Sequence, residues 1–341
     1  MIVEIRLVLG YFEAKLHFKG PESTFMSNIS TKPPSGMRDF LPEELLLRRY
    51  AIEKVRSAYE LYGFSQIETP CIENLTTLLG KYGEEGDQLI YRILHRRDAL
   101  KRALDQENVA EAELSDLGLR YDLTVPLARV VAQYGDLPKF FKRYQIQPVW
   151  RADRPSRGRF REFYQCDVDV TGTNSLLAEA DVLSAVSRAL LDLGFAEFKI
   201  HLNHRKLLFE LIRSAGIPPE SEGSALIAVD KLDKIKEEGV LQELIKRGID
   251  EDKSKNLLSI IQRVENESDQ DLAARLKDSL NSEEADSAID ELLEIKQIIS
   301  NGPADGHVEI TPALARGLGY YTGPIFEITE RPEAGTLGGG G

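Results

Sequence analysis

Cysteine is almost absent from this sequence of 341 residues, with Cys71 and Cys166 the only two. Two cysteines so far apart provide neither a disulfide framework nor the thiolate cluster of a structural zinc site, and they indicate a reducing compartment. The five histidines are scattered as well, and the pair His201 and His204 has no other cysteine or histidine nearby. We therefore expect no metal site built from these residues, and a cytoplasmic location.

Long apolar runs and excess positive charge are also missing. No stretch approaches the roughly 18 apolar residues of a membrane span, and Glu4 and Arg6 interrupt the apolar N-terminus, unlike a signal peptide. The formal net charge is -13, so a polyanionic partner must meet a local basic patch. No helix follows the glycines at the end of the sequence, which excludes a P-loop there.

The remaining composition is that of an ordinary soluble globular protein, with 42% hydrophobic and 29% charged residues. Helical periodicity begins near Pro42, strand-like alternation follows, and a Lys/Glu/Leu-rich helical pattern comes later. These patterns predict an α+β fold, in which helices flank an antiparallel sheet and a helical insertion interrupts it. The predicted units are an N-terminal extension and linker (1–33), the first part of the core (34–203), the insertion (204–302) and the second part of the core (303–341).

The most conspicuous feature is a basic stretch in this acidic chain. Residues 149–170, VWRADRPSRGRFREFYQCDVDV, place five arginines within eleven positions, and strand-like alternation flanks them. This pattern predicts an antiparallel hairpin with a long basic loop. Arginine suits phosphate because its guanidinium is always charged and binds two oxygens at once, although a solvated loop also tolerates it. Gln165 and Asp169 share one face of the second strand, which indicates a pocket for a nucleotide and a small cationic or zwitterionic ligand.

Five stretches in a fixed order carry a family resemblance: PSGMRDFLPEE, RYDLTVPLARV, RADRPSRGRFREFYQCDVDV, VDKLDK and LARGLGYYTGPIFEI. Together they resemble the catalytic domain of the histidyl-tRNA synthetases, which are class II aminoacyl-tRNA synthetases, from about Pro34 to the last glycine. The resemblance implies a cytoplasmic homodimer with Pro70 at its interface. It also implies an enzyme that activates L-histidine with ATP and Mg²⁺ to histidyl-adenylate and transfers the histidine to tRNA(His).

The resemblance further implies roles for individual residues. Arg151 would hold the α-phosphate of ATP, and Arg316 would contact both the substrate carboxylate and the α-phosphate, so these two are the expected catalytic residues. Asp153 would contact the adenine amino group, Phe163 would stack on adenine, and Arg159 would reach the phosphates. The residues implied to bind histidine are Asp122, Thr124 and Gln165 at its α-amino group, Arg316 at its carboxylate, and Asp169 and Tyr321 at its imidazole, with Tyr320 as a further histidine-binding residue.

Simpler explanations remain open for several of these residues. Asp122 or Thr124 could cap the helix that follows them. Tyr320 and Tyr321 could be ordinary strand aromatics, and the glycines around them could mark a bulge.

Two departures from the family pattern stand out. Gly319 occupies a position where the family has aspartate, which would alter the orientation of Arg316. The sequence also ends on glycines where the family continues into a third motif, whose arginine holds the γ-phosphate, and an anticodon-binding domain. From the resemblance we expect a truncated chain with a nearly complete histidine pocket, weakened ATP binding and impaired adenylation.

Two other functions compete with that of a synthetase. The regulatory subunit of ATP phosphoribosyltransferase is a non-catalytic paralogue of this fold that senses histidine and has no need of the ATP arginines. Retention of Arg151, Arg159 and Phe163 favours the synthetase, whereas the missing third motif favours the paralogue. A pure RNA-binding module is disfavoured, because the basic residues are confined to one loop without an aromatic-interleaved basic surface.

Overall fold

The computed structural model describes residues 2–6, 30–81, 83–105, 109–156, 158–316, 321–330 and 335–341. The strands of this part of the chain are β1 (Ile2–Arg6), β2 (Ser65–Gln66), β3 (Ile72–Asn74), β4 (Arg92–Leu94), β5 (Ser115–Leu119), β6 (Phe141–Trp150), β7 (Glu162–Thr171), β8 (Lys199–His204), β9 (Val308–Ile310), β10 (Pro324–Thr329) and β11 (Thr336–Gly340). The helices are α1 (Pro42–Leu61), α2 (Leu75–Leu78), α3 (Gly83–Gln88), α4 (Asp98–Leu104), α5 (Thr124–Gln133), α6 (Leu177–Asp192), α7 (Arg205–Ser214), α8 (Glu222–Val229), α9 (Leu232–Lys246), α10 (Glu251–Ile261), α11 (Asp269–Leu280) and α12 (Glu283–Ile298).

Eight strands form one sheet in the order β2-β6-β7-β1-β11-β10-β8-β9, and β3, β5 and β4 form a second, smaller sheet. Neighbouring strands of the large sheet are antiparallel except for the two outer pairs, β2 with β6 and β8 with β9. Helices flank the large sheet and occupy the insertion, which confirms the predicted α+β class. No helix in the described residues is long and apolar enough to cross a membrane.

Helix α1 begins and ends where the sequence predicts. Pro42 occupies the first turn, where a missing N–H costs nothing, and the Leu41 N–H donates to the Glu44 carboxylate over 3.0 Å. Gly63 follows the helix with a φ of +77°, a conformation that glycine adopts without steric strain. The helix packs against α6 beside the large sheet.

The predicted basic hairpin is confirmed. Strands β6 and β7 pair over their full length, from Phe141 opposite Thr171 to Trp150 opposite Glu162, and residues 151–161 connect them. Strand alternation sends the apolar side chains to the core, where Tyr144 and Val168 are fully buried, and the polar ones to the other face. The sheet therefore separates a hydrophobic core from a polar surface.

Three local expectations differ from the structure. The stretch QLIYRIL (residues 88–94) reads as one strand, yet Gln88 ends helix α3 and only Arg92–Leu94 is extended. The Leu89 carbonyl accepts a hydrogen bond from the Ala152 N–H over 2.8 Å, so the basic loop helps to fix this connection. The stretch FSQIETP (residues 64–70) alternates as a strand would, yet only Ser65 and Gln66 form strand β2. Residues 98–116 are mostly polar and read as a loop between strands, yet they contain helix α4.

The insertion helices share the hydrophobic core of the sheet. One continuous cluster runs from Val55 on α1, through Ile200 on β8, to Leu257 and Ile289 in the insertion. In addition, the Arg263 guanidinium donates to the Ile310 carbonyl over 2.8 Å and joins the insertion to β9. The predicted boundary at residue 204 thus runs through a common core, and the domain boundaries stay predictions.

Strand β1 comes from the predicted N-terminal extension. Its backbone pairs on one side with β7, Ile5 opposite Cys166, and on the other side with β11, Ile5 opposite Gly338. Residues 2–6 are therefore part of the large sheet, whereas residues 7–29, expected to continue the extension and linker, lie outside the described residues.

Candidate active site

A set of charged and amide side chains covers the polar face of the hairpin. We call this set the polar floor. All five members are completely buried: Arg143 and Gln145 on β6, and Gln165, Asp167 and Asp169 on β7. Burial of so many polar groups is costly unless they bind one another or a ligand, so this face of the sheet is the first candidate for a binding site.

The polar floor contains an ion pair that the sequence analysis missed. The Arg143 guanidinium lies 2.7 Å from the Asp169 carboxylate, and neither side chain is exposed. Burial raises the pKa of Asp169 to about 6, against the opposing effect of the Arg143 charge. The signal in the sequence was the position of Arg143, two residues before Gln145 on the same strand face. The charge of Arg143, taken alone, predicts an exposed side chain, so the sequence did not indicate the ion pair.

Gln165 is a member of the polar floor whose whole side-chain amide has unused hydrogen-bonding capacity. Neither atom of its side-chain amide has a hydrogen-bond partner within the described structure, although the residue is fully buried. By contrast, the Gln145 amide donates to the Thr69 hydroxyl over 2.8 Å. An unpartnered buried amide is expensive, so Gln165 is well suited to bind a polar ligand at this point.

Arg151 begins the basic loop and is held between two aromatic rings. Its guanidinium carbon lies 4.3 Å from the Tyr121 ring centre and 5.2 Å from the Phe163 ring centre. The Arg151 Nε donates to the Tyr121 carbonyl over 3.1 Å, and only 6% of the residue is exposed. This sandwich fixes the guanidinium before any ligand arrives, as electrostatic stabilisation of a transition state requires.

A second buried arginine, Arg120, anchors the RYD stretch against the hairpin. Its Nε donates to the Pro148 carbonyl over 2.9 Å, and its Nη1 donates to the Thr69 carbonyl over 2.7 Å. In return, the Arg120 carbonyl accepts from the Trp150 N–H. These bonds fix the neighbouring Tyr121 carbonyl that orients Arg151. Sequence reasoning missed this residue, because its partners lie 28 and 51 positions away.

Asp122 caps the start of helix α5. Its carboxylate accepts a hydrogen bond from the Val125 N–H over 3.0 Å, and the residue is buried. The simpler explanation offered for this residue is therefore true, and it is compatible with a binding role because a carboxylate has several acceptor positions. Thr124 is the first residue of α5 and is partly buried.

The arginines of the basic loop are not equivalent. Arg161 is structural: its Nε donates to the Asp153 carbonyl over 2.9 Å, and its N–H donates to the Gly36 carbonyl over 2.7 Å. Arg159 is exposed and lies 4.0 Å from the Asp153 carboxylate. Arg154 is exposed as well, whereas Arg157 lies outside the described residues. The exposed arginines, not all five, are available to a polyanion that enters from solvent.

Arg316 belongs to the other half of the site. Its Nη1 donates to the Gly338 carbonyl of β11 over 3.2 Å and lies 3.5 Å from the Glu327 carboxylate of β10. The buried Asn203 amide holds the preceding segment by donating to the carbonyls of Pro312 and Leu314, both over 2.9 Å.

Tyr321 packs against the edge of the core, while Tyr320 and Gly319 lie outside the described residues. The structure thus places Arg151, Asp153, Arg159 and Phe163 around the basic loop. It places Gln165 and Asp169 on the polar floor, and Arg316 on the far side of β1 in the same sheet.

This arrangement has the character of a class II aminoacyl-tRNA synthetase: a mainly antiparallel sheet with an arginine hairpin at its centre. The comparison with protein families agrees, because the sequence model described as histidyl-tRNA synthetase matches residues 36–341. The chain belongs to the histidyl-tRNA synthetase family, and with it to the aminoacyl-tRNA synthetases, which are ligases.

Curated relatives support the same family. A histidine–tRNA ligase of Gloeobacter violaceus is 43% identical over 322 residues, covering 90% of this chain and 67% of the relative. A histidine–tRNA ligase of Cytophaga hutchinsonii is 42% identical over 318 residues, covering 90% of this chain and 69% of the relative.

Solved structures share the fold. The histidyl-tRNA synthetase of a Nostoc species superposes with a TM-score of 0.74 at 31% identity, covering 90% of this chain and 67% of that one. A Bacillus halodurans protein titled ATP phosphoribosyltransferase regulatory subunit/histidyl-tRNA synthetase has a TM-score of 0.71 at 20% identity, covering 90% of this chain and 74% of that one. The second likeness concerns the fold alone.

Proposed function

We propose that this chain is the catalytic part of a histidine–tRNA ligase, which activates L-histidine with ATP and transfers the resulting histidyl group to tRNA(His). The observation that carries the proposal is the polar floor, where the unpartnered amide of Gln165 lies on the same strand face as the Arg143–Asp169 ion pair. A fully buried polar surface of this kind suits a small ligand with an amine and an imidazole better than a macromolecule.

In the proposed reaction, a carboxylate oxygen of histidine attacks the α-phosphorus of ATP. A bond forms between that oxygen and phosphorus, the bond to the bridging oxygen of pyrophosphate breaks, and the leaving pyrophosphate keeps the electron pair. Negative charge accumulates on the α-phosphate oxygens in the transition state, so preorganised cations stabilise it. We assign this role to Arg151, held between its two rings, and to Arg316, held by β10 and β11.

We assign the recognition of histidine to the polar floor and the start of α5. Asp122, Thr124 and Gln165 would bind the α-amino group, and Asp169 would accept a hydrogen bond from the imidazole, which Tyr321 would also contact. The contact with Arg143 favours the ionised carboxylate of Asp169, which is the form that accepts hydrogen bonds only. A pocket of this kind rejects amino acids without an imidazole, because they would leave buried polar groups unpaired.

We assign the nucleotide to the basic loop. Phe163 would stack on adenine, Asp153 would contact its amino group, and Arg159 would reach the phosphates. The described residues contain no group of three or more His, Cys, Asp or Glu that could hold a metal ion. We propose that Mg²⁺ arrives on the phosphate oxygens of ATP.

We further propose a cytoplasmic homodimer that forms through α1 and the segment around Pro70. Leu46, Leu47 and Tyr50 leave at least half of their surface exposed on α1, although they are large and apolar. Such a patch on one helix favours a partner surface, and a two-fold pairing would cover the same patch in both chains. Cys71 and Cys166 are both free thiols, in keeping with the cytoplasm.

The paralogue without catalytic function is the second candidate. Its support is the fold shared with the Bacillus halodurans protein at 20% identity, whereas the curated relatives at 40–43% identity carry the name histidine–tRNA ligase. The buried sandwich around Arg151 favours the synthetase, because a histidine sensor has no need of a fixed α-phosphate contact.

Calorimetric titration with histidine tests the proposal directly. We expect the protein to bind histidine and Asp169→Asn to weaken that binding by about 10- to 100-fold, because the variant removes a charged hydrogen-bond acceptor. Asp181→Asn is the matched control, since Asp181 forms an ion pair with Lys142, next to Arg143 in β6. Absence of histidine binding by the folded protein, or an equal effect of both variants, would contradict the assignment.

A further inference from the structure

Arg316 is held by one carboxylate and one carbonyl from neighbouring strands. Its Nη1 lies 3.5 Å from Glu327 Oε1 and donates to the Gly338 carbonyl over 3.2 Å. Glu327 is itself fixed, because its carboxylate accepts a hydrogen bond from the Thr336 hydroxyl. Both members of the Arg316–Glu327 pair are partly buried, where a charge pair is less screened than at the surface.

Gly339 leaves the space that the guanidinium occupies. A Cβ atom at position 339 would lie 2.8 Å from the Arg316 Cζ, closer than real Cβ contacts come, and 3.0 Å from the Phe326 carbonyl oxygen, which is tighter than most. Gly339 is not among the glycines with a positive φ, so its backbone conformation does not require glycine. The requirement is for space, and the residue that fills this space is Arg316.

Two other positions near this arginine do not supply a side-chain contact to its guanidinium. Gly319 has no side chain for the task, although it stands where the family has an aspartate. Asn203 fixes the backbone up to Leu314 but makes its hydrogen bonds to carbonyls, not to the guanidinium. Among the side chains that the structure describes, Glu327 is the carboxylate in contact with Arg316.

We propose that Glu327 and Gly339 are positioning residues, which together hold the Arg316 guanidinium in the orientation that receives the carboxylate of the amino acid substrate. The inference rests on the proposed function, because it takes the substrate carboxylate as the partner of Arg316. Glu327 contacts the guanidinium through Nη1. A guanidinium has five N–H donors on three nitrogens, so one anchored nitrogen leaves a forked edge for a second carboxylate.

Histidinol separates this positioning from general effects on the pocket, because it has the amine and imidazole of histidine but no carboxylate. The readout is the ratio of histidinol Kd to histidine Kd, measured calorimetrically for each variant. Arg316→Gln should lower this ratio by roughly 10- to 100-fold, as expected for loss of a charged hydrogen bond. Glu327→Gln and Gly339→Ala should each lower it by about tenfold, while the affinity for histidinol stays unchanged.

Three further variants sharpen the test. Glu327→Asp keeps the charge and should restore part of the ratio. The double variant Arg316→Gln/Glu327→Gln should show no further loss beyond Arg316→Gln, because Glu327 acts only through that arginine. Glu309→Gln is the control, since Glu309 stands in the same cross-strand row of the sheet but contacts Lys199 and His201.

The outcomes are distinguishable. If Arg316→Gln lowers the ratio but Glu327→Gln and Gly339→Ala do not, the positioning proposal is overturned and the role of Arg316 stands. If Arg316→Gln itself leaves the ratio unchanged, both the positioning proposal and the proposed role of Arg316 are overturned. An equal loss of histidine and histidinol binding in Glu327→Gln, with an unchanged circular dichroism spectrum, would show a purely structural residue and also overturn the proposal.

Discussion

The guanidinium of Arg143 lies 2.7 Å from the carboxylate of Asp169, and both side chains are fully buried between the hairpin and the rest of the site. A buried pair of this kind adds little to stability, because removing two charges from water costs about as much as their attraction returns. Its effect is on Asp169: burial raises the pKa of this carboxyl to about 6, and the charge of Arg143 limits the rise. The pair therefore links the charge of the polar floor to pH.

The pH dependence of stability follows from that pKa. Asp169 has a folded pKa of about 6, above the ordinary value of 3.8, so the folded state binds the proton more tightly than the unfolded state. Its contribution to stability is fully present below pH 3.8 and is lost as the pH rises to about 6. We expect the unfolding free energy of the wild type, relative to Asp169→Asn, to fall over this range by an amount on the order of 1–3 kcal/mol. Urea unfolding of both proteins at pH 4, 5, 6 and 7 measures it, and a constant difference would contradict the shift.

Gln165 and Gln145 form a matched pair for separating binding from stability. Gln165→Met should bind histidine at least about tenfold more weakly, yet unfold at the same or slightly higher urea concentration, because its amide has no partner to lose. Gln145→Met should instead lose about 1–3 kcal/mol of stability, because it removes the hydrogen bonds that the Gln145 amide donates to the Thr69 hydroxyl and to the Gln147 side-chain oxygen. Chemical unfolding and calorimetric titration check both. Equal loss of stability in the two variants would mean that Gln165 has a structural partner.

Arg151 and Arg154 distinguish a fixed phosphate contact from an exposed arginine of the same loop. Arg151→Ala should weaken binding of a sulfamoyl analogue of histidyl-adenylate by about 10²- to 10³-fold, the usual effect of removing one preorganised electrostatic contact. Arg154→Ala should change it by less than about threefold, because Arg154 is exposed and a solvated charge contributes little. Competition titration gives both constants. A small effect of Arg151→Ala, with the fold intact, would remove the residue from the α-phosphate site.

The exposed face of α1 allows a test of the homodimer. The double variant Leu46→Glu/Tyr50→Glu introduces two charges into an interface that would otherwise bury apolar side chains, so we expect dimers of the wild type and monomers of the variant. Analytical ultracentrifugation at micromolar concentration measures the difference. Leu177→Glu is the control, because Leu177 is similarly exposed but lies on α6. A monomeric wild type would refute the dimer.

The hairpin could be predicted because its signals are local. Alternation over ten residues on each side of the basic loop requires two strands, and strand geometry then puts Gln165 and Asp169 on one face. Arg120 and Arg143 could not be predicted in the same way. A charged residue normally indicates the surface, and only partners distant in sequence, such as Thr69 and Asp169, make their burial tolerable.

The terminal glycines are a second case in which the local sequence does not predict the structure. Glycine has low strand propensity, so local reasoning assigns no structure to GTLGGGG. The structure nevertheless has strand β11 there, because β10 supplies a hydrogen-bonded neighbour and the Arg316 guanidinium leaves no room for a side chain at Gly339. Tertiary contacts, which the local sequence does not contain, determine this strand.

Strand β1 has a consequence for the dimensions of the pocket. The polar floor lies on β6 and β7, the support of Arg316 lies on β11 and β10, and β1 is the single strand between β7 and β11. Adjacent strands lie about 4.8 Å apart, so β1 acts as a spacer that separates the two halves by roughly 10 Å. This strand precedes residue 36, where the match to the family begins. The distance between the polar floor and Arg316, which the substrate must span, therefore depends on a strand outside the residues matched by the family model.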